Sequence, residues 1–402
     1  MDSRRKFLGT VASGLAGTIA SVPVLGAPDR IRIGVIGAGD RGLELCHQIK
    51  ACPGTEIAAF ADIYSKRLEK AASYQPSAKL FADHRQLLDD ANIDAVVIAT
   101  PPHLHAQHFC DALSAGKHIY LEKTLALTHP QAQQMRGAYE NDGGRHAVQI
   151  GHQSCSTGHA SDVARFLAEP NAIGPVSTLA MRHYRNSPIN RQHWSRPTML
   201  TPDLNLRNIA WARFAGEGTQ FDPQRFIQWR HYWEYSSGPI SEYMSQQLAF
   251  WYRALDLQIP WSATATGGVF LPDGAGRDTP DTVQVSLTQP ENMLVTWSSG
   301  FGNNQLGVGE DLLGRAGTIS RNNQLRYVPQ KVTRPQGAEM LGRASQNPEA
   351  HLQNFLDAIR FGSDVNCPFE VGYRVAMACI MATESYRLGR TVYWNAETQE
   401  IV

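Results

Sequence analysis

One hexapeptide constrains this chain more than any other feature. Gly37-Ala38-Gly39-Asp40-Arg41-Gly42 joins an apolar run, Ile31 to Ile36, to a segment of helical periodicity, Arg41 to Lys50. In a strand–turn–helix the first glycine permits the tight turn, the second lets a pyrophosphate approach the backbone, and the third lets helix pack on strand. The free N–H groups at the helix start favour negative charge. Asp62 ends the next apolar run, Glu56 to Ala61, where a carboxylate accepts hydrogen bonds from adenosine ribose hydroxyls. That carboxylate repels a 2′-phosphate, which favours NAD; Lys66 and Arg67 nearby keep NADP open.

The alternation continues. Ala95 to Ala99 and Lys117 to Tyr120 read as strands, with helices near 104–115 and 129–140. Such alternation makes a parallel sheet covered on both faces. A Rossmann domain is therefore expected over residues 28–150, with a break where Val148-Gln149-Ile150 runs into Gly151. Beyond it, Ser262 to Val269, Thr282 to Leu287 and Met293 to Ser298 largely alternate apolar or small residues with polar ones. Half-covered antiparallel strands have that pattern. The expected fold class is α/β, with a second α/β domain over 151–402 built on an open, mainly antiparallel sheet.

The chain has 402 residues, 42% hydrophobic and 18% charged, enough apolar side chain for two cores. Lys+Arg and Asp+Glu both number 37, so no basic excess exists to neutralise a nucleic-acid backbone. The six cysteines are too scattered for a CxxC motif or a disulfide scaffold. The histidines lack HxxxH or HExxH spacing, and no metal site is expected. Ser3-Arg4-Arg5-Lys6-Phe7-Leu8, followed by the apolar run Gly9 to Gly26, resembles a twin-arginine export signal. Residues 1–27 are thus read as a signal peptide, which implies the Tat machinery as a partner and a periplasmic or secreted location. No later stretch reaches the ~20 apolar residues of a membrane span, so no stable membrane anchor is expected.

Further motifs are Ala99-Thr100-Pro101-Pro102-His103-Leu104-His105, Glu122-Lys123-Thr124-Leu125, and toward the C-terminus His351-Leu352-Gln353-Asn354-Phe355, Glu370-Val371-Gly372-Tyr373-Arg374 and Tyr386-Arg387-Leu388-Gly389-Arg390. With the glycine hexapeptide they resemble the Gfo/Idh/MocA family, named for glucose–fructose oxidoreductase and inositol dehydrogenase. The resemblance implies hydride transfer between a sugar or polyol carbon and nicotinamide, and a homo-oligomer. It places Thr100, Pro101 and His105 beside the cofactor, together with Glu122 and Lys123. Lys123 is then the residue that helps manage the proton of the reacting hydroxyl.

This chain departs from the family pattern in two places. Thr124 replaces a proline. In the helix Ser241 to Gln247, Glu242 aligns with the family's acid, but Gln246 stands where the catalytic histidine belongs and Ala249 where a further acid belongs. Glutamine has no proton to exchange near neutral pH. A shift by one residue aligns Tyr243 and Gln247 instead, and both registers stay open. Tyr243, His152, His183 and Tyr184 are the other proton carriers, each weighed against a structural role. The leading reading is an exported NAD(H)-dependent oxidoreductase acting on a carbohydrate or polyol. Its alternative is a redox-neutral lyase, hydrolase or epimerase that oxidises a sugar transiently, and a third is a catalytically impaired sugar-binding protein.

Overall fold

The computed structural model describes residues 30–402 except 170, 187–193, 195–196, 272–275, 323, 331–338 and 344–347. The expected signal segment, residues 1–27, lies outside the described residues. The first sheet contains β1 (Ile31–Ile36), β2 (Thr55–Ala61), β3 (Lys79–Phe81), β4 (Ala95–Ile98), β5 (His118–Leu121) and β6 (Val148–Ile150). All neighbours are parallel, in the order β3-β2-β1-β4-β5-β6. The β4 strand, Ala95-Val96-Val97-Ile98, is buried along its whole length. A continuous apolar run is what a strand covered on both faces requires. The chain moves outward from β1 to β3, then restarts on the other side of β1 with β4. Ligands of open parallel sheets bind outside the strand C-termini at such a reversal, and the glycine hexapeptide stands there.

One face of this sheet is closed by a helix from far along the chain. Leu352, Phe355 and Leu356 of the helix Pro348–Phe361 share a buried cluster with Ile33, Val35, Val97 and Tyr120. On the other face, Val96, Ile98 and Ile119 join Phe109 and Met135 in a core that continues into the second sheet. The helix Phe369–Leu388 runs through that joint. A Cβ on its Gly372 would stand 2.6 Å from Ile150 Cγ1, so the helix meets β6 at a residue without a side chain.

The second sheet comprises β7 (Val176–Tyr184), β8 (Ser262–Gly268), β9 (Thr282–Gln289), β10 (Met293–Gly300), β11 (Val308–Gly314), β12 (Gly317–Arg321), β13 (Gln324–Pro329), β14 (Glu339–Arg343), β15 (Val392–Asn395) and β16 (Glu400–Ile401). Its order is β14-β13-β12-β11-β7-β10-β9-β8-β15-β16. The β7/β10 pair is parallel and the other paired strands are antiparallel. Val283, Val285, Leu287, Val295 and Trp297 are buried beneath the helices Ser245–Leu255 and Phe369–Leu388. Gln284 and Thr288 alternate with them and are exposed, as half-covered strands require. The fold is thus the expected Rossmann domain plus a mainly antiparallel α/β domain. No helix among the described residues is long and apolar enough to cross a membrane.

Phe355 is fully buried against the first sheet although it lies over 200 residues beyond β6. Phe355→Ala should therefore destabilise the protein by about 3–5 kcal/mol, measured by chemical denaturation. A loss below about 1 kcal/mol would show that this helix is not part of the first domain's core.

Candidate active site

The glycine hexapeptide has the backbone that its residues allow. Gly37 adopts φ +97°, and a Cβ there would lie 2.8 Å from the carbonyl oxygen of Ala99. A Cβ on Gly42 would lie 2.0 Å from the carbonyl oxygen of Gly37, so only glycine lets the helix Asp40–Ala51 start this close to the turn. Gly39 differs. Its Cβ would meet only the Arg67 guanidinium, at 3.8 Å, so this position faces open space beside a cation. That is a cradle for a diphosphate.

Asp62 is buried and fastens the cradle to the end of β2. Its Oδ2 accepts the Ala38 N–H at 2.8 Å and its Oδ1 accepts the Tyr64 N–H at 2.9 Å. Arg67 stands 3.8 Å from Oδ1. Each carboxylate oxygen has two lone pairs, so capacity remains for ribose hydroxyls in the position expected. Asp40 is exposed and sits 3.8 Å from Lys70. Arg41 turns inward: its guanidinium is 2.7 Å from Glu122 and 2.8 Å from Glu44. Both Arg41 and Glu122 line the cavity, yet their first partner is each other. The residues present fit a dinucleotide.

A cavity of about 1830 Å³ runs from this cradle to the second sheet's helices, and Thr100, Pro101, Glu122 and Lys123 line it. His105 does not. It is fully buried at the start of the helix His105–Ser114, with Nδ1 2.8 Å from the Thr124 carbonyl and Nε2 2.8 Å from the Thr100 carbonyl. The expected cofactor contact is corrected to a buried position between the two cavity loops, because the helix turns this ring beneath them. The neutral imidazole gives its one N–H to one of the two carbonyls. Burial also pushes its pKa down. His103 faces the cavity instead, with Nε2 2.8 Å from the Phe214 carbonyl.

At the far end, Lys123 Nζ donates to the Glu242 carbonyl at 3.1 Å and approaches Glu242 Oε2 at 3.2 Å. Arg230 Nε donates to the same Oε2 at 3.0 Å. Burial alone would raise the Glu242 pKa, but the charges of Arg230 and Lys123 outweigh it and hold the carboxyl at about 2. Glu242 is thus held as a carboxylate between two cations that it orients. The peptide bond Lys123–Thr124 is cis.

Glu242 lies on a π-helical turn, Ile240–Met244, that continues into the α-helix Ser245–Leu255. Single π-turns of this kind cluster at functional sites. The turn determines which of these residues face the cavity. Glu242 and Gln246 line the cavity, with Gln246 exposed to it. Tyr243 points elsewhere, stacked on His183 at 3.9 Å with its hydroxyl pushed up to about 12 by burial. Gln247 is buried in the second domain, where its Oε1 accepts the Trp297 indole N–H at 2.8 Å. Tyr243 is therefore removed from the set of residues facing the cavity. His152 enters it. Two residues past β6, it lines the cavity, is 1% exposed, and has no hydrogen-bond partner at either ring nitrogen. The sequence offered it as a proton carrier but gave no sign that both nitrogens stay free.

A segment from Thr201 to Tyr235 crosses from the second domain onto the first. Ile209 bridges to Tyr64, the Ala210 N–H donates to the Ile63 carbonyl at 3.0 Å, and Asn208 O accepts the Ser65 N–H at 2.9 Å. Arg213 binds Asp83 at 3.1 Å and the Ala82 carbonyl at 2.6 Å. Leu204, Ile209, Trp211, Phe214 and Phe226 make a small core with Tyr64. This arm walls the adenosine end of the cavity. Among the described residues, no group of three or more His, Cys, Asp or Glu side chains is placed to hold a metal ion.

The fold, the glycine cradle and the carboxylate at the end of β2 together make the first domain an NAD-binding Rossmann fold. Residues 31–152, the first domain, match the model of the Gfo/Idh/MocA oxidoreductase family, NAD-binding Rossmann fold. An uncharacterised oxidoreductase, YrbE, of Bacillus subtilis (strain 168) is 27% identical over 46% of this chain and 53% of its own. Glycosyl hydrolase family 109 protein 1 of Shewanella sp. (strain ANA-3) is 30% identical over 33% of this chain and 36% of its own. The matched part thus spans about half or less of these relatives. The solved structure of levoglucosan dehydrogenase in complex with NADH and levoglucosan shares the fold over 91% of this chain and 99% of its own, with TM-score 0.68 and 20% identity.

The Glu242 pKa supplies a stability test. Its folded value of about 2 lies below the ordinary glutamate value of about 4.3, so its contribution is complete above pH ~4.3 and is lost as pH falls toward 2. Glu242→Gln leaves Lys123 and Arg230 as unneutralised neighbours and should cost about 3–5 kcal/mol at pH 7. Denaturation of both proteins across pH 2–7 should show the gap closing toward the acid end. A gap independent of pH would refute the charge argument.

Proposed function

We propose that this protein is an NAD-dependent oxidoreductase whose substrate is a carbohydrate or polyol hydroxyl, reacting beside Lys123. The observation that carries this reading is the Lys123 ammonium, held by Glu242 inside the cavity that also contains the dinucleotide cradle. NAD, when bound, supplies the two-electron redox capacity. The protein supplies orientation and charge. An ammonium has three donors; Glu242 engages Lys123 through its carbonyl and its carboxylate, leaving one direction toward the cavity. A hydrogen bond from that direction stabilises negative charge on the substrate oxygen. In the carbonyl-reducing direction that N–H gives its proton to the oxygen, and in the oxidising direction the neutral amine of Lys123 takes the hydroxyl proton back. Arg230 keeps Glu242 charged, so Lys123 cannot lose its orienting partner over the physiological pH range. The sugar-directed name of the levoglucosan enzyme supports this substrate class.

The redox-neutral reading has an observation of its own. The arm Thr201–Tyr235 walls the adenosine end, and a retained cofactor suits a reaction that returns its electrons each cycle. Likeness to the glycosyl hydrolase family 109 protein favours the same alternative. We also propose export through the twin-arginine route, supported by Arg4-Arg5 and the apolar run after them. Arg4→Lys/Arg5→Lys should then retain the protein in the cytoplasmic fraction, whereas unchanged fractionation would dismiss this route.

Lys123→Ala should lower turnover by at least about 100-fold on any accepted sugar, with cofactor content unchanged. Turnover is read by product chromatography alongside absorbance of reduced cofactor. Stoichiometric reduction selects the oxidoreductase, and product without net reduction selects the redox-neutral enzyme. An active Lys123→Ala variant removes the assignment altogether.

A further inference from the structure

His152 occupies a defined place in the cavity. The Gly151 N–H donates to the Leu121 carbonyl at 2.7 Å, which seats the end of β6 directly beside the Glu122–Lys123 turn. A Cβ on Gly151 would lie 3.1 Å from Glu122 Cα, so the backbone just before His152 packs directly on that turn. The adenosine end of the cavity is fixed by Asp62 beyond β2 and the diphosphate by Gly39 beyond β1. A dinucleotide that continues across the sheet therefore places its nicotinamide half over the ends of β4, β5 and β6.

Among the other polar groups at that end, Glu122, Lys123 and His105 have partners, whereas Gln246 is exposed and His103 Nδ1 has none. Glu122 binds Arg41, Lys123 binds Glu242, and His105 spans two carbonyls. His152 is 1% exposed and has both nitrogens without a partner. Buried polar groups in native proteins are hydrogen-bonded as a rule, and this one lines a ligand cavity. We propose that His152 binds the nicotinamide carboxamide, one ring nitrogen meeting the carboxamide's oxygen or amide hydrogens. Burial first, then the charge of Lys123 and the proximity of His351, push the imidazole pKa down to about 3. The ring is consequently neutral in use and offers one donor and one acceptor, the pair that a carboxamide also carries. A neutral ring has a further advantage here, since an imidazolium would add a third cation to Lys123 and Arg230.

This inference rests on the NAD-dependent reading, and the test separates the two. Nucleotide-stripped full-length protein is titrated calorimetrically with NAD and with ADP-ribose, which keeps the adenosine, diphosphate and second ribose but lacks nicotinamide. His152→Leu should weaken NAD binding about tenfold, the scale of a buried hydrogen bond, while ADP-ribose affinity stays within about twofold. His152→Gln, which retains a donor and an acceptor, should recover most of the loss. Unchanged NAD affinity in His152→Leu overturns the inference alone, as does an equal loss for both ligands that His152→Gln fails to rescue. A wild-type protein that binds neither ligand overturns the NAD reading and this inference with it.

Discussion

The carboxylate of Glu242 is the interaction on which the site depends. It receives Lys123 from the first domain and Arg230 from its own, so one buried anion ties the domains through Lys123 while Arg230 balances it. Three charged groups in a closed space are tolerable only with this balance. Removing either cation weakens the hold on Glu242, and removing Glu242 leaves like charges facing each other in a partly desolvated cavity. The π-helical turn at Ile240–Met244 belongs to the same arrangement, because it places Glu242 and Gln246 on the cavity while Tyr243 and Gln247 turn into packed surroundings. Chemistry and domain assembly therefore share one set of contacts.

The parts of the structure legible in the sequence are those where local geometry admits few residue types. Gly42 is a glycine because a Cβ would strike the Gly37 carbonyl, and Asp62 is an acid because two backbone N–H groups converge on it. The strands of the first sheet fall within a residue or two of their apolar runs, since burial on both faces leaves continuous signals. Ala95 to Ala99 and Lys117 to Tyr120 end as Ala95–Ile98 and His118–Leu121.

Other features depend on contacts between distant residues, and no local pattern carries them. The Pro348–Phe361 helix belongs to the first sheet's core although it follows the whole second sheet except for its last two strands. The Thr201–Tyr235 arm looks in sequence like a loop-rich stretch with scattered tryptophans. In the fold, Trp211 sits with Phe214 and Phe226 in a small core against Tyr64, which docks the arm on the first domain, while Trp229 lines the cavity. His105 was placed beside the cofactor by the motif that contains it, but helix phase turned it inward to two carbonyls. Register within Ser241–Gln247 was open because an α-helix and a π-turn distribute the same residues differently.

Gln246 changes meaning in this setting. In the sequence it is a missing histidine, a sign of a weakened enzyme. In the structure it is an exposed amide facing a cavity where charge is already supplied by Lys123, Glu242 and Arg230. A histidine at that point would add a titrating group to a site whose carboxylate is held at about 2 and whose buried imidazole, His152, is held at about 3. Both neighbours are thereby fixed in one protonation state across the physiological range, and a glutamine keeps the third position fixed as well. A site built from groups that do not titrate positions its substrate identically at every working pH. Lys123, held by Glu242, is then the group that the cavity presents to a reacting hydroxyl.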